Sequence, residues 1–259
     1  YFSKTIKSLE NSNYNLCSVG QGKFPSNYIK CDYGENIFYK EEFYSELTFH
    51  YWFWKNKLDL ESDNWIGFCQ KRRFWINIES KNNIINKENF RDHLLFEPHN
   101  EWKNYDAIIC EEINVNNMKK MKLIKRGMKN IMTDPKIFFD KNKQTVKLHF
   151  DMHHGYGILD KAIDVMNIED RNEFRNFVDN RLKFSPHIMF ISKKKIINKW
   201  FHSLFDWLGE CERVFGFKNL NGYDQGRLYA YLSERYLPFW FEKYYKIKFG
   251  PWVFFDTKV

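Results

Sequence analysis

The sequence predicts an α/β fold with a mixed, mostly parallel sheet and a helical C-terminal third. Short apolar runs of β character alternate with segments of helical periodicity, and several of these runs end abruptly in charged residues. The 259 residues are 43% hydrophobic, which is enough for a sizeable core. We find no internal repeat and no linker rich in Pro, Ser or Gly, so we expect one domain over residues 1–259.

Each element is predicted from its own pattern. A helix is expected over residues 41–57, where Phe43, Leu47, Tyr51 and Trp54 recur three or four positions apart. The strand-like segments are residues 64–75, 105–112, 141–157 and 185–194, and the helical segments between the last two are 158–166 and 171–182. Residues 196–246 are expected to be mostly helical, with apolar stripes at Trp200, Leu204, Trp207 and Leu208 and at Leu228, Leu232 and Tyr236.

Composition limits the class of protein. No stretch approaches the roughly 18 apolar residues of a membrane span, and the start of the sequence lacks the pattern of a secretory signal, so we expect a cytoplasmic protein. The five cysteines are far apart and never form a C-x-x-C pair, which favours neither a disulfide framework nor a zinc ribbon.

Charge and aromatic content leave several partners open. The net charge of +8 suits nucleic acid, an anionic membrane face or a phosphate-bearing small substrate. Aromatic residues reach 19%, and aromatic faces stack on sugar rings and on nucleobases. These two features alone do not choose among the partners.

Ligands of α/β sheets bind at the carboxyl ends of strands, where polar side chains leave a buried layer. The predicted strands therefore place three charged groups along one rim. They are Lys71, Arg72 and Arg73, then Glu111 and Glu112, then Asp151, His153 and His154.

The paired arginines are candidates for phosphate binding. A guanidinium offers a planar fork that matches phosphate oxygens two at a time, as the holding of a diphosphate leaving group requires. The alternative is that Arg72, Arg73 or both tie down a loop through carboxylates or carbonyls.

The segment FDMHHGYG (150–157) joins an acid, two histidines and two glycines. On a strand, Asp151 and His153 share one face and His154 points away. The pair suits proton transfer or a divalent metal, but no further ligand at a suitable spacing completes a metal site. Hydrogen bonding to a sugar hydroxyl or phosphate is the favoured role.

A second candidate lies in YDQGRLYAYLSERYL (223–237), which reads as a turn followed by a helix. Glu234 suits a catalytic base or an acceptor-binding carboxylate. The alternative is an intrahelical ion pair with Arg227 or Arg235.

Several enzyme classes receive no support. The sequence has no GxxxxGK[ST], GxGxxG or G-x-S-x-G motif, which argues against an ATPase, a dinucleotide dehydrogenase and an α/β-hydrolase. No D-x-D pair follows a predicted strand, so the cations gain importance as the groups that neutralise a diphosphate.

Taken in order, these segments resemble a bacterial domain-of-unknown-function family that is found in capsule and O-antigen gene clusters and whose members are classed as glycosyltransferases. The resemblance is carried by SELTFHYWFWKN (45–56), DNWIGFCQKRRFW (63–75) and an upstream CDYGENI (31–37). It continues through YDAII (105–109), FDMHHGYGILDKAID (150–164), HIMFISKKKIINKW (187–200) and YDQGRLYAYLSER (223–235), and so covers most of the chain.

Two features depart from this family. Its members carry His-Tyr before the paired arginines, whereas this chain has Gln70 and Lys71. Its members also begin with a short strand ahead of the segment matching residues 13–25, whereas residues 1–10 here read as a helix. We therefore expect either a missing N-terminal strand or a piece of a longer protein.

The resemblance implies a GT-A-like nucleotide-binding fold and a UDP-sugar donor carrying a hexose or galactofuranose. Transfer requires cations that stabilise the leaving diphosphate, and the resemblance assigns this role to Arg72 and Arg73 with help from Lys71. It also assigns Gly20 and Asp106 to the donor site.

The implied acceptor is a capsular or lipopolysaccharide chain or a lipid-linked oligosaccharide at the inner face of the plasma membrane. An inverting enzyme needs a base for the acceptor hydroxyl, and the candidates are Asp151, His153 and Glu234. Acceptor or sugar binding is assigned to His154, Tyr156, Asp224 and Arg227. No cofactor is certain, and Mn²⁺ or Mg²⁺ is compatible with this chemistry.

Two rival functions remain open. A nucleic-acid-binding module is suggested by the positive charge and the aromatics, but the basic residues are scattered along the chain and 33 carboxylates accompany 41 cations. A catalytically inactive sugar-binding domain is the other, and the intact predicted rim argues against it. We therefore expect a nucleotide sugar and a glycan as partners and no nucleic acid.

Overall fold

Pairs of consecutive strands alternate with single helices or runs of helices along the chain. The structure is a computed structural model that describes residue 9 and residues 14–256, so nearly all of the helix predicted over residues 1–10 lies outside the described residues. The strands are β1 (Trp65–Gly67), β2 (Arg73–Trp75), β3 (Ala107–Cys110), β4 (Ile113–Asn114), β5 (Lys183–Phe184), β6 (Phe190–Lys193), β7 (Ile247–Gly250) and β8 (Trp252–Phe254). The helices are α1 (Glu41–Tyr44), α2 (Leu47–Asn56), α3 (Phe90–His93), α4 (Lys120–Arg126), α5 (Met128–Thr133), α6 (Val146–His154), α7 (Ile158–Asp164), α8 (Ile168–Asn180), α9 (Lys194–Phe215), α10 (Gly222–Gly226) and α11 (Leu228–Tyr244).

The chain divides into two units, each built from separate stretches of sequence. The first, called the sheet unit, lies within Tyr1–Glu111, His187–Phe201 and Tyr244–Val259. The second, called the helical unit, comprises Glu112–Pro186 and His202–Lys243. The expectation of one domain over residues 1–259 stays a prediction.

A four-stranded mixed sheet forms the centre of the sheet unit, in the order β1-β6-β3-β7. β3 pairs in parallel with β7, whereas β6 pairs antiparallel with both β1 and β3. The mixed sheet is confirmed, although the parallel share is smaller than expected, one pair of three. β3 is buried along its whole length, which explains its uninterrupted apolar sequence.

The segment predicted as one strand over residues 64–75 forms two. β1 ends at Gly67 and β2 begins at Arg73, and the Arg73 amide closes the turn by donating to the Gln70 carbonyl at 3.0 Å. Arg72 has a positive φ of 65°, so the chain reverses within this turn. β2 then pairs antiparallel with β8 in a separate two-stranded ribbon.

The helix predicted over residues 41–57 is present with an interruption. Ser45 has φ 51° and ψ −129°, which no helix accommodates, so α1 ends there and α2 restarts at Leu47. The C-terminal helices α9 and α11 follow the prediction, and their apolar stripes are buried at Trp200, Leu204, Trp207, Leu208, Leu228, Leu232 and Tyr236.

One prediction of secondary structure is wrong. Residues 141–157 were expected to contain a strand because Val146, Leu148, Phe150 and Met152 alternate with polar residues, but they contain α6. Thr145 begins this helix by accepting a hydrogen bond from the Leu148 amide at 3.4 Å. All four apolar residues are buried, as are two polar ones, so α6 is covered on several faces and shows no helical periodicity.

Candidate functional site

The sheet unit contains a cavity of about 890 Å³. Its walls are strongly aromatic, and they include Phe49, Trp52, Trp65, Phe68, Phe74 and Trp75. A cavity of this size with flat apolar walls suits a ring-bearing ligand of several hundred daltons.

Two residues of α2 that line this cavity each carry a buried hydrogen-bonding atom without a partner among the described residues. His50 and Trp52 line the cavity and are 2% and 0% exposed. Neither His50 Nδ1 nor Trp52 Nε1 has a hydrogen-bond partner within residue 9 and residues 14–256. Such groups cost free energy when they stay unpaired, so each is a natural contact for a polar atom of a ligand.

The protonation state of His50 follows from its surroundings. Burial lowers its pKa to about 3, so the imidazole is neutral at physiological pH. The ring packs against Phe68 and Phe201, with centroids 4.7 and 5.7 Å away. His50 therefore adds an uncharged imidazole to the lining of the cavity.

The dipeptide that departs from the family pattern also lies on the cavity. Gln70 and Lys71 both line it, and the Gln70 amide donates a hydrogen bond to the Glu46 carboxylate. Lys71 is partly exposed and supplies a cation at this position. The cavity lining therefore joins aromatic walls, neutral polar groups, the lysines Lys57 and Lys71 and the glutamates Glu46, Glu61 and Glu97 within the sheet unit.

The two arginines have partners inside the sheet unit. Arg72 NH1 lies 3.6 Å from Asp256 Oδ2, and its guanidinium carbon lies 5.4 Å from the Phe254 ring centroid. Arg73 Nε donates to His187 Nε2 at 3.0 Å. Among the described residues, the cavity lining includes Lys71 but neither arginine. These contacts are those expected of arginines that tie down a loop. Phosphate binding by Arg72 and Arg73 stays a prediction.

Gly20 and Asp106 are the other residues assigned to the donor site. Gly20 has φ 91°, and a side chain there would meet the Glu41 carboxylate at about 3.1 Å, so this position requires glycine. Its neighbour Val19 lines the cavity. Asp106 Oδ2 accepts from the Lys246 amide at 3.0 Å and so joins the start of β3 to that of β7. A ligand role for either residue stays a prediction.

A second cavity, of about 800 Å³, lies in the helical unit. The residues that give it chemistry include Arg126, Lys129, His153, Tyr156 and Asp224. Arg126 NH1 lies 3.1 Å from Asp224 Oδ2, and the Tyr156 hydroxyl lies 3.1 Å from Thr133 Oγ1. Cations, a carboxylate and an exposed phenol around one opening suit a hydroxyl-rich or anionic ligand.

Four of the residues predicted to act in catalysis or acceptor binding line this second cavity: Asp151, His153, Tyr156 and Asp224. The geometry of Asp151 and His153 differs from the prediction, because both residues lie on α6 rather than on a strand. Two positions apart on a helix, they point in different directions and do not share a face. The predicted rim after a strand is therefore wrong for Asp151, His153 and His154.

Both carboxylate oxygens of Asp151 accept hydrogen bonds within the helical unit. Its side chain is 0% exposed. Asn130 Nδ2 donates to Oδ2 at 2.7 Å, Lys147 Nζ donates to the same oxygen at 3.0 Å, and the Gly157 amide donates to Oδ1 at 3.2 Å. This carboxylate fixes the loop that follows α6.

His153 is better suited to accept a proton. Its Nδ1 lies 2.8 Å from the His149 carbonyl and donates to it, which leaves Nε2 as the acceptor nitrogen. Burial lowers the pKa of His153, so the imidazole is neutral near pH 7. A neutral imidazole on a cavity wall has the properties of a general base.

His154 has a different environment. Its Nδ1 donates to the Asp224 carbonyl at 2.9 Å, and its ring stacks on Tyr231 at 3.8 Å. Burial, helped by the nearby Arg235 charge, lowers its pKa to about 3. The neutral His154 therefore links α6 to the segment around Asp224. Arg227, the other residue assigned to acceptor binding, has its guanidinium carbon 5.7 Å from the Tyr223 ring centroid.

The ion pair predicted as the alternative for Glu234 is present. Arg235 NH1 lies 3.0 Å from Glu234 Oε2, and the Arg235 side chain is only 2% exposed. The guanidinium also donates to His149 Nδ1 at 3.2 Å and lies 4.3 Å from the Phe184 ring centroid. Sequence reasoning missed this buried cation, since an arginine in a helix is usually exposed.

The described residues form neither a metal-ligand cluster nor a helix able to span a membrane. No group of three His, Cys, Asp or Glu side chains in the described part of the chain has the arrangement of a metal site. Across the same residues, no helix combines the length and the apolar character that crossing a bilayer requires.

The chain was compared with known proteins. A solved structure, the apo form of the WbbM bifunctional glycosyltransferase, has a similar fold with a TM-score of 0.60 at 20% sequence identity. The match covers 88% of this chain but 39% of that chain, so the present sequence corresponds to less than half of the larger protein. No curated protein matches. The family model described as "Domain of unknown function (DUF4422)" matches residues 2–245. The chain therefore belongs to the DUF4422 family.

Proposed function

We propose that this chain is a GT-A-like glycosyltransferase that moves a sugar from a nucleotide-sugar donor, a UDP-hexose or UDP-galactofuranose, to a capsular or lipopolysaccharide acceptor. The observation that carries the proposal is the aromatic cavity of the sheet unit with its two unpaired polar groups. The fold similarity to a glycosyltransferase supports it.

The cavity matches the parts of a nucleotide sugar. A nucleobase is flat and carries both donors and acceptors on its edge, so it can stack on the aromatic wall while it pairs with His50 and Trp52. Of the two lysines in the lining, Lys57 and Lys71, we assign Lys71 to the diphosphate. Arg72 and Arg73 remain candidates for the same role through a change of partner.

The acceptor is assigned to the cavity of the helical unit. In an inverting reaction, the acceptor hydroxyl oxygen forms the new bond to the anomeric carbon while the bond to the diphosphate oxygen breaks. The hydroxyl proton passes to a general base, and the diphosphate leaves with the bonding electron pair. Within the helical unit, His153 Nε2 is our candidate for that base. We place His153 ahead of Asp151 and Glu234 because those two carboxylates already hold internal partners.

Calorimetric titration with UDP tests the donor site. Trp52→Phe keeps the aromatic ring but removes its N–H, and we expect it to weaken UDP binding about tenfold through one lost hydrogen bond. Trp54→Phe, on the same helix, is the matched control, because the Trp54 N–H already donates to Asn198 Oδ1 at 2.7 Å. The control should keep UDP affinity and lose stability.

Turnover is tested by mass spectrometry of a glycan acceptor incubated with a panel of UDP-sugars. We expect the acceptor to gain one sugar mass and His153→Ala to abolish the gain. Absence of UDP binding to the unaltered chain would remove the proposal.

A further inference from the structure

The helical unit carries a surface on which positive charge and exposed apolar side chains occur together. We call the exposed residues of segment 119–143 the basic patch. This segment contains nine of the 41 Lys and Arg residues and two of the 33 Asp and Glu residues. The remaining 32 cations and 31 carboxylates nearly cancel, so the net charge of +8 arises almost entirely here.

The charges of the patch are mostly available to a partner. All nine cations are exposed. Arg126 pairs with Asp224 and Lys143 pairs with Asp134, at 3.1 and 3.6 Å. Within the described chain, no carboxylate lies within ion-pairing distance of Lys119, Lys122, Lys125, Lys129 or Lys136.

Large apolar side chains lie between these lysines. Met121, Met132 and Phe139 are 64, 78 and 81% exposed. Ile124, one helical turn after Met121 on α4, is also exposed. Exposed apolar side chains are common singly, but a series of them within one lysine-rich segment indicates a binding surface.

The α4 part of the basic patch is anchored to the core of the helical unit. Leu123, between the exposed residues of α4, is buried in a cluster with Ile137, Leu148 and Met152. The exposed side chains of α4 are therefore directed outwards by a packed core on the other face of the helix.

We propose that the basic patch docks on the surface of an anionic lipid bilayer. Lysine ammonium groups are attracted to anionic headgroups, while methionine and phenylalanine side chains enter the boundary between headgroups and acyl chains. Eight of the nine cations are lysines, whose long stems let the charge stay in water above buried apolar atoms. Nucleic acid would use the cations but would gain little from exposed methionines.

The position of the patch also bears on the acceptor. Lys125, Met128 and Lys129 belong both to the basic patch and to the lining of the helical unit's cavity. If that cavity binds the acceptor, which rests on the proposed function, a lipid-linked acceptor in the bilayer would present its headgroup beside it.

Vesicle flotation tests the docking without reference to activity. We expect the full chain to float with phosphatidylcholine vesicles that contain phosphatidylglycerol and not with pure phosphatidylcholine. Replacing Lys119, Lys122 and Lys136 by Gln should weaken partitioning about a hundredfold, since each lysine near the surface contributes about fivefold. Lys30→Gln, Lys87→Gln and Lys199→Gln, made together on the sheet unit, form the matched control and should bind as the original chain does.

A second pair of variants tests the apolar contribution. Met132→Ser with Phe139→Ser should reduce flotation, whereas Leu60→Ser with Ile84→Ser, also highly exposed, should not. Equal binding to both vesicle types, no binding at all, or binding to duplex DNA that depends on the lysines but not on Met132 and Phe139 would each overturn the proposal. Because the readout is flotation, failure here leaves the UDP experiment unaffected.

Discussion

At the scale of single residues, a side chain whose sequence context suggests a role in catalysis can have contacts that instead stabilise the fold. Asp151 is an example: it was predicted as a candidate catalytic base, but three donors hold its buried carboxylate. Lys147, one of these donors, also lies 2.9 Å from Asp160, which is partly exposed. The two carboxylates therefore share one lysine but differ in burial.

We expect Asp151→Ala to lower the free energy of unfolding by about 3 kcal/mol, because it leaves a buried amide and a half-buried lysine without their acceptor. Asp160→Ala is the matched control and should cost less than about 1 kcal/mol, since its ion pair is partly solvated. Urea denaturation measures both values. Unchanged stability in Asp151→Ala, with loss of transfer, would instead return this residue to the catalytic role.

At the scale of elements, the end of α6 depends on two glycines with different surroundings. Gly155 has φ 119°, and a β-carbon there would lie 2.5 Å from Ile158 Cδ1. Gly157 has φ 73°, and a β-carbon there would have open space around it. A side chain at position 155 is disfavoured by both the backbone conformation and a steric contact, whereas a side chain at position 157 is disfavoured by the backbone conformation alone.

Gly155→Ala should therefore destabilise the chain by about 3 kcal/mol, from a disfavoured backbone conformation and a steric clash. Gly157→Ala should cost about 1 kcal/mol, the ordinary cost of a left-handed conformation with a side chain. Thermal and urea unfolding of the two variants provide the comparison. Equal losses would show that the loop after α6 can move to relieve the clash.

At the scale of the whole molecule, buried neutral histidines in both units couple stability to pH. Burial lowers the pKa of His50 and His154 to about 3, and burial together with the Arg235 charge lowers that of His149 to about 2. The unfolded chain protonates the same residues near their ordinary value of 6.5. Between these values the unfolded state binds more protons, so stability falls as the pH falls.

Through these histidines, the free energy of unfolding should be nearly constant between about pH 7 and 8 and should decline below pH 6.5 by up to about 1.4 kcal/mol per pH unit for each histidine. Denaturation curves at pH 7, 6 and 5 measure the slope. His50→Phe removes one titrating group that makes no hydrogen bond through Nδ1 in the described chain, so it should reduce the slope. A slope that is the same with and without His50 would contradict its assigned burial.

Local pattern allowed prediction of the elements whose burial is regular. The apolar run at Ala107–Cys110 and the amphipathic helix at Ile168–Asn180 were both predicted from periodicity. The same reasoning failed for α6, because a helix buried on several faces has no polar stripe to mark its period. The break at Ser45 and the turn before Arg73 depend on backbone angles that composition does not indicate.

The candidate site was predictable only in part. Lys71, Tyr156 and Asp224 were named from sequence, and each lies on a cavity of its unit. His50 and Trp52 were not, because a histidine or tryptophan within an apolar helix looks like ordinary core until its polar atom is found without a partner. No sequence signal distinguishes these two cases.

By itself the sequence determined the α/β class, most of the helices and the family, because these follow from local periodicity and from the order of motifs along the chain. The tertiary structure decided which polar groups form hydrogen bonds or ion pairs with internal partners and which belong to residues that line a cavity. The physical reason is that a hydrogen bond or an ion pair depends on atoms brought together from distant segments. Arg235 is paired with both His149 and its neighbour Glu234, whereas the Trp52 indole N–H has no hydrogen-bond partner among the described residues.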